Sequence, residues 1–134
     1  MRVLVVEDNT EIREGLRRLL EGDGYDVTLV ANGQEALEWL VRRRAVDHPC
    51  VILVDMMMPI MNGWEFIRHL QSDDILLTIP LVVSTGLDVK AGELGPETRV
   101  FKKPYDVGAL LNEVHRHCRP AQANGDARPS IPSG

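Results

Sequence analysis

Five short apolar runs separated by amphipathic stretches predict an α/β protein, a doubly wound five-stranded parallel sheet covered by helices on both faces. Three observations carry this expectation. Most of the runs are nearly continuous in apolar residues, as strands buried on both faces are. The stretches between them repeat apolar residues at helical spacing. Two runs end in acids, Glu7-Asp8 after Val3-Leu4-Val5-Val6 and Asp55 after Val51-Ile52-Leu53-Val54. In open α/β sheets the carboxyl ends of the strands are where ligands gather.

Each element has its own local cause. Residues 2–6 form the first strand. Asn9 or Thr10 caps a helix with Ile12, Leu16, Leu19 and Leu20 on one side, and Gly22 and Gly24 end it. Tyr25, Val27 and Leu29 alternate through a second strand. Asn32-Gly33 opens a helix with Ala36, Leu37, Leu40 and Val41 inward, and Arg42-Arg43-Arg44 complements the dipole in its last turn. Residues 51–54, the most hydrophobic run, are expected at the centre of the sheet. A third helix covers residues 63–71, with Trp64, Ile67 and Leu70 as its packing residues. Pro80 precedes a fourth strand, Leu81-Val82-Val83-Ser84, and Val100-Phe101 lies in a short fifth. Asp106 caps the last helix, through Val107, Leu110, Leu111, Val114 and Cys118. From Pro120 the composition turns to Pro, Gly, Ser, Asn and Ala, which predicts a disordered tail or linker over 120–134 after one domain over 1–119. The flavodoxin-like strand order 2-1-3-4-5 fits this pattern and brings Glu7, Asp8 and Asp55 into one crevice.

At 134 residues, 44% hydrophobic and 26% charged, the chain has enough apolar material for one core. A formal net charge of −5 speaks against non-specific nucleic-acid binding. No apolar stretch reaches bilayer length and no signal peptide opens the chain, so the expectation is a cytoplasmic protein with no membrane insertion. Cys50 and Cys118 show no CxxC or metal spacing. They are expected to be reduced thiols, with Cys50 packed at a strand start.

The three carboxylates make a hard oxygen site suited to Mg2+, which takes one or two carboxylates and accepts phosphate oxygens. Thr85, followed by Gly86, offers a hydroxyl at the end of the fourth strand. Lys103, before Pro104, offers an ammonium at the end of the fifth; strand alternation sends Lys102 to the other face. A carboxylate nucleophile, a cation, a hydroxyl and an ammonium are the equipment for phosphoryl transfer onto an aspartate. Met57, two residues after Asp55, cannot protonate a leaving group. The site is therefore expected to accept phosphoryl groups from activated donors, without turnover of a free substrate.

Five pieces of the sequence together resemble the receiver domain of two-component response regulators. They are Val3-Leu4-Val5-Val6-Glu7-Asp8-Asn9, Asn32-Gly33-Gln34-Glu35-Ala36-Leu37, Asp55 through Met58-Pro59 to Gly63, Thr85-Gly86 and Lys103-Pro104. The resemblance runs from Met1 to about Arg119. It implies that Asp55 is the phosphoacceptor. It also implies that Asp8, Asp55 and the Met57 carbonyl hold Mg2+ (or Mn2+), with Glu7 acting mainly through water. Thr85 and Lys103 would then meet the phosphoryl oxygens. The implied donor is a phosphohistidine on a sensor histidine kinase or histidine phosphotransfer protein, in a phosphorelay that switches contact with a downstream protein effector. Small donors such as acetyl phosphate are also implied.

Three departures from the family pattern follow. Gly92, Gly95 and Pro96 oppose a long helix between the fourth and fifth strands, so that helix is expected to be shortened or replaced by a loop. Val100 stands where the family carries an aromatic switch residue, and Phe101 faces the other way. This leaves a constitutive protein-binding module with a degenerate switch as the alternative function. Met57 and Leu87 stand where flanking residues are often polar, which predicts a long-lived phosphoaspartate. Met56 is expected exposed beside the site against a kinase helix, and Met58 packed beneath the loop. A haloacid-dehalogenase phosphatase would need an acid at position 57, and a flavodoxin a phosphate loop in place of Glu7-Asp8-Asn9. Neither is present.

Overall fold

The computed structural model describes residues 1–43, 46–58, 60–86, 89, 94 and 98–118. In chain order the elements are β1 (Arg2–Val6), α1 (Thr10–Gly22), β2 (Asp26–Val30), α2 (Gly33–Arg43), β3 (Val51–Asp55), α3 (Gly63–Gln71), a 3-10 turn (Leu76–Thr78), β4 (Leu81–Thr85), β5 (Thr98–Lys102) and α4 (Val107–His117). All strand pairings are parallel and the order is β2-β1-β3-β4-β5, as expected from the sequence. β3 lies in the middle with every residue buried. β5 extends further on both sides than Val100-Phe101 and forms one edge of the sheet. The region of the expected shortened helix or loop lies mostly outside the described residues, and the expected tail over 120–134 lies wholly outside them.

Alternation divides the side chains between two cores. Leu4, Val6, Ile52, Val54, Leu81 and Val83 pack with Ala36, Leu40, Phe66, Ile67 and Leu70 of α2 and α3. Val3, Val5, Val51, Leu53, Val82 and Phe101 pack on the opposite face with Leu16, Leu20, Leu110 and Val114 of α1 and α4. Val100 and Phe101 thus face opposite ways, as the regular strand requires. The apolar stripe of α1 is only half used: Leu16 and Leu20 are buried, while Ile12 and Leu19 stay exposed. In α3 the largest buried side chain is Phe66, which periodicity did not single out, and Trp64 sits at the boundary of the core.

The caps lie where short polar side chains precede the helices. Asn9 Oδ1 accepts from Ile12 N at 3.0 Å, so Asn9, not Thr10, caps α1. Asn62 and Glu65 form a reciprocal capping box at α3, with Glu65 N donating to Asn62 Oδ1 at 3.0 Å and Asn62 N to Glu65 Oε1 at 3.2 Å. Asp106 Oδ1 accepts from Gly108 N at 2.8 Å at the start of α4.

The cysteines correct the sequence expectation. Cys50 and Cys118 form a disulfide with Cα atoms 5.7 Å apart. The 68-residue separation hid their proximity. The fold brings the residue just before β3 against the C-terminal cap of α4, and one-dimensional spacing carries no signal of that.

Candidate functional site

The site is built at the carboxyl ends of β1, β3 and β5. Val6 of β1 is in register with Val54 of β3, so the next residues, Glu7 and Asp55, stand at the same level at the carboxyl edge of the sheet. Both continue the face that carries Val5 and Leu53, toward α1 and α4. Asp55 is 5% exposed and Glu7 3%, while Asp8 is exposed. One carboxylate oxygen from each of Glu7, Asp8 and Asp55 lies within 4.8 Å of the others.

Two donors fix the Asp55 carboxylate. Lys103 Nζ donates to Oδ2 at 3.1 Å, and Met57 N donates to Oδ1 at 3.0 Å. The lysine just beyond β5 therefore enters the pocket; Lys102, one residue earlier, pairs with Thr85 in the β4–β5 register. Glu7 Oε2 accepts from Asn9 N at 3.1 Å, tying the carboxylate to the turn that starts α1.

Burial pushes the Glu7 carboxyl up to about 7 against the Asn9 hydrogen bond, and the negative charge of Asp55 adds to the rise. Burial disfavours the Lys103 ammonium, but the hydrogen bond and charge of Asp55, helped by Glu7, outweigh it and hold the lysine above its ordinary range. Lys103 thus faces both buried acids, Asp55 and Glu7. Removing acids from water in this way favours either a proton on Glu7 or a bound cation.

Thr85, fully buried, ends β4. Its neighbour Ser84 is the register partner of Asp55, so alternation directs Thr85 to the other face, with Val83 and Val100. Ser84 and Tyr105 were missed by sequence reasoning. Both line a cavity of about 10 Å3 with Glu7 and Asp55, room for roughly one water molecule. Burial raises the Tyr105 hydroxyl, with Lys103 opposing. Ser84 was in principle legible, since a polar residue within a buried strand, one place before the chosen threonine, falls in line with Asp55. Tyr105 depends on the path after Pro104, which periodicity does not give.

The loop from β3 to α3 closes tightly. Gly63 N donates to Met56 O at 3.0 Å, and a Cβ on Gly63 would come 2.7 Å from Met56 Cα and also collide with Met56 Sδ. Met56 is consequently wholly buried, which overturns its expected exposure beside the site. Met57 is the exposed one, at 60%, and Met58 packs into the core as expected. Ile60 adopts φ 67° while 80% exposed. Leu87 lies outside the described residues.

The donor set fits a hard divalent ion, because buried and exposed carboxylate oxygens converge with no sulfur or imidazole among them. Comparison with known proteins agrees with this geometry. The family model described as the response regulator receiver domain matches residues 3–115. The response regulator MprA of Mycobacterium avium (strain 104) is 35% identical over 139 residues, covering 95% of this chain and 55% of that protein. Its namesake in Mycobacterium bovis (strain BCG / Pasteur 1173P2) is 41% identical over 138 residues, covering 92% and 54%. The chain spans about half the length of the curated relatives it matches. Among solved structures, the signal receiver domain of a signal transduction histidine kinase from Syntrophus aciditrophicus is similar at TM-score 0.74 and 32% identity, covering 86% of this chain and 87% of that one. The receiver domain of a sensor histidine kinase from Pseudomonas aeruginosa PAO1, solved with a magnesium ion in its active site cleft, is similar at TM-score 0.74 and 25% identity, covering 87% and 95%. Fold, strand order and sequence together show that this chain belongs to the response regulator receiver domain family of two-component systems.

Proposed function

We propose that the chain is a phosphoaccepting receiver in which Asp55 takes a phosphoryl group from a phosphohistidine on a sensor kinase or phosphotransfer protein. A carboxylate oxygen of Asp55 attacks phosphorus as the bond to the imidazole nitrogen breaks. The observation that carries this reading is the Asp55 carboxylate, buried yet held open between Lys103 Nζ and Met57 N, with Glu7 and Asp8 within 4.8 Å. Its position is fixed before any donor arrives, so little reorganisation is left for the reaction. Lys103 loses its carboxylate partner as Asp55 becomes an acyl phosphate and is left to pair with the incoming phosphoryl oxygens.

Asp8, Asp55 and the Met57 carbonyl would hold Mg2+, with Glu7 acting through water; the ion would neutralise charge on the transferring group. A magnesium ion in the cleft of the similar Pseudomonas receiver supports this assignment. Thr85, which ends β4 on the face opposite Asp55, would have to swing toward the phosphoryl oxygens to meet them. The chain accepts the group on itself and turns over no free substrate.

A donor must reach this pocket over the surface beside it. An apolar cavity of about 600 Å3, lined by Ile12, Leu16, Leu19, Pro104, Tyr105 and Val107, opens next to Lys103 and gives a phosphohistidine-bearing helix a place to lie. The signal then passes to a protein effector, in a cytoplasmic phosphorelay. One observation favours a second reading, a constitutive binding module. Val100 supplies no aromatic ring on the face that Thr85 shares.

Incubation with acetyl phosphate and Mg2+ tests the proposal. The wild type should gain one acid-stable, base-labile phosphoryl adduct on the peptide containing Asp55. Asp55→Asn and chelation of the metal should each abolish it. An adduct that survives in Asp55→Asn would sink the assignment, and no adduct with any competent donor would leave the constitutive module as the better account.

A further inference from the structure

We propose that the Cys50–Cys118 disulfide is a thiol-exchange site, opened by small thiols and dithiols at Cys50, that controls how firmly the C-terminal end of α4 is held to the sheet. This inference stands apart from phosphoryl transfer. It concerns the amino end of β3, whereas Asp55 lies at the carboxyl end.

The bond joins two unlike surroundings. Cys118 caps α4, is 2% exposed and belongs to the core beneath α1 and α4. Cys50 is half-buried and lines an open cavity of about 460 Å3 with Arg2, Asp26, Asp47, His48 and Pro49. A reagent can therefore approach Cys50 Sγ but not Cys118 Sγ. The mouth holds cationic Arg2 and the imidazole of His48, together with the carboxylates of Asp26 and Asp47. A small thiol need not be anionic overall to enter.

The exchange balances in two steps. One thiolate of a dithiol attacks Cys50 Sγ, the sulfur–sulfur bond breaks, and Cys118 leaves as a thiolate that takes up a proton. The second thiol of the reagent then attacks the mixed disulfide and releases Cys50. The protein gains two electrons and two protons, and the dithiol becomes a disulfide.

What the bond holds is the last turn of α4. Without it, that turn keeps the Cys118 N–H to Val114 O at 2.9 Å and the contacts of His115, whose Nδ1 meets Tyr25 Oη at 2.6 Å and whose Nε2 meets Asp23 Oδ2 at 3.2 Å. The Tyr25 hydroxyl reaches Cys118 O only at 3.5 Å. The His115 contacts lie near the surface, since the His115 and Asp23 side chains are 39% and 38% exposed. Reduction thus leaves the α4 end held by the packing of Leu110 and Val114 and by the His115 contacts, of which the one to Asp23 is solvent-accessible and opens readily.

The test uses the full chain, purified without reductant. Maleimide tagging in denaturant, after the dithiol is removed, should count no free thiol in the untreated protein and two in protein treated with dithiothreitol while folded, and oxidised glutathione should restore the bond. On reduction, amide exchange over residues 114–118 should quicken by about tenfold, with residues 51–55 unchanged. Cys50→Ser should exchange like the reduced protein under both conditions, and Cys50→Ala serves if the serine variant folds poorly. Three results would overturn the proposal. The thiols could stay free in oxidised glutathione. The bond could yield to dithiothreitol only in denaturant. Or reduction could leave exchange at 114–118 unchanged.

Discussion

Gly63 shows how one missing Cβ shapes the site. Its backbone lies against Met56, so Gly63→Ala must push the β3–α3 loop outward. The expected loss is about 1–3 kcal/mol of stability, measured by urea unfolding, with weaker Mg2+ binding because Met57 rides on the same loop. Ile60 presents the opposite case. A β-branched residue at φ 67° is strained, and at 80% exposure it gains little by packing. Ile60→Gly should be neutral or stabilising by about 1 kcal/mol; a clear loss would mean that the side chain holds the loop. If Asp55 accepts a phosphoryl group as proposed, Met57, exposed and apolar, would shield that group from water. Met57→Glu should speed loss of the adduct by about tenfold, roughly 1.4 kcal/mol in barrier, followed by phosphate release from the labelled protein. Equal lifetimes would remove the shielding account.

Among the elements, what was legible followed from local chemistry. Buried strands, helix stripes and caps are written in runs, periods and single polar residues, so all five strands and the helices of the described chain were found with small errors at the ends. Contacts between distant elements were not legible. The cysteine pairing needed β3 beside α4, and the burial of Met56 needed the approach of Gly63. Tyr105 needed the turn after Lys103. The acidic site was legible because register does the work: strands one and three are neighbours, and a carboxylate ends each. The capping box of α3 offers a test at this scale. Asn62→Ala removes one side of the reciprocal pair and should cost about 1 kcal/mol, read by the urea midpoint, while Glu65→Ala should cost less.

For the molecule as a whole, the buried acids couple stability to pH. Glu7 titrates near 7 in the folded, metal-free protein, against an ordinary value of 4.5. Between those values the native state binds more protons than the unfolded chain. Stability contributed by the Glu7 proton is therefore complete below about 4.5 and is lost as pH rises through about 7. The loss is on the order of 3 kcal/mol. Urea midpoints of metal-free protein should fall from pH 5 to pH 8, saturating Mg2+ should flatten the fall, and Glu7→Gln should abolish it. A slope that survives Glu7→Gln belongs to other groups. Among the described residues no helix is long and apolar enough to cross a membrane.

The rim strand β5 carries a last consequence. Its exposed positions hold Arg99 and Lys102, with the Arg99 guanidinium lying 4.9 Å above the Phe101 ring. Cationic side chains along an open hydrogen-bonding border repel a second such border and deter ladder extension into fibres. Any contact between copies through this border would set cation against cation, so a companion docking there would have to be chosen by side chains rather than by main-chain amides.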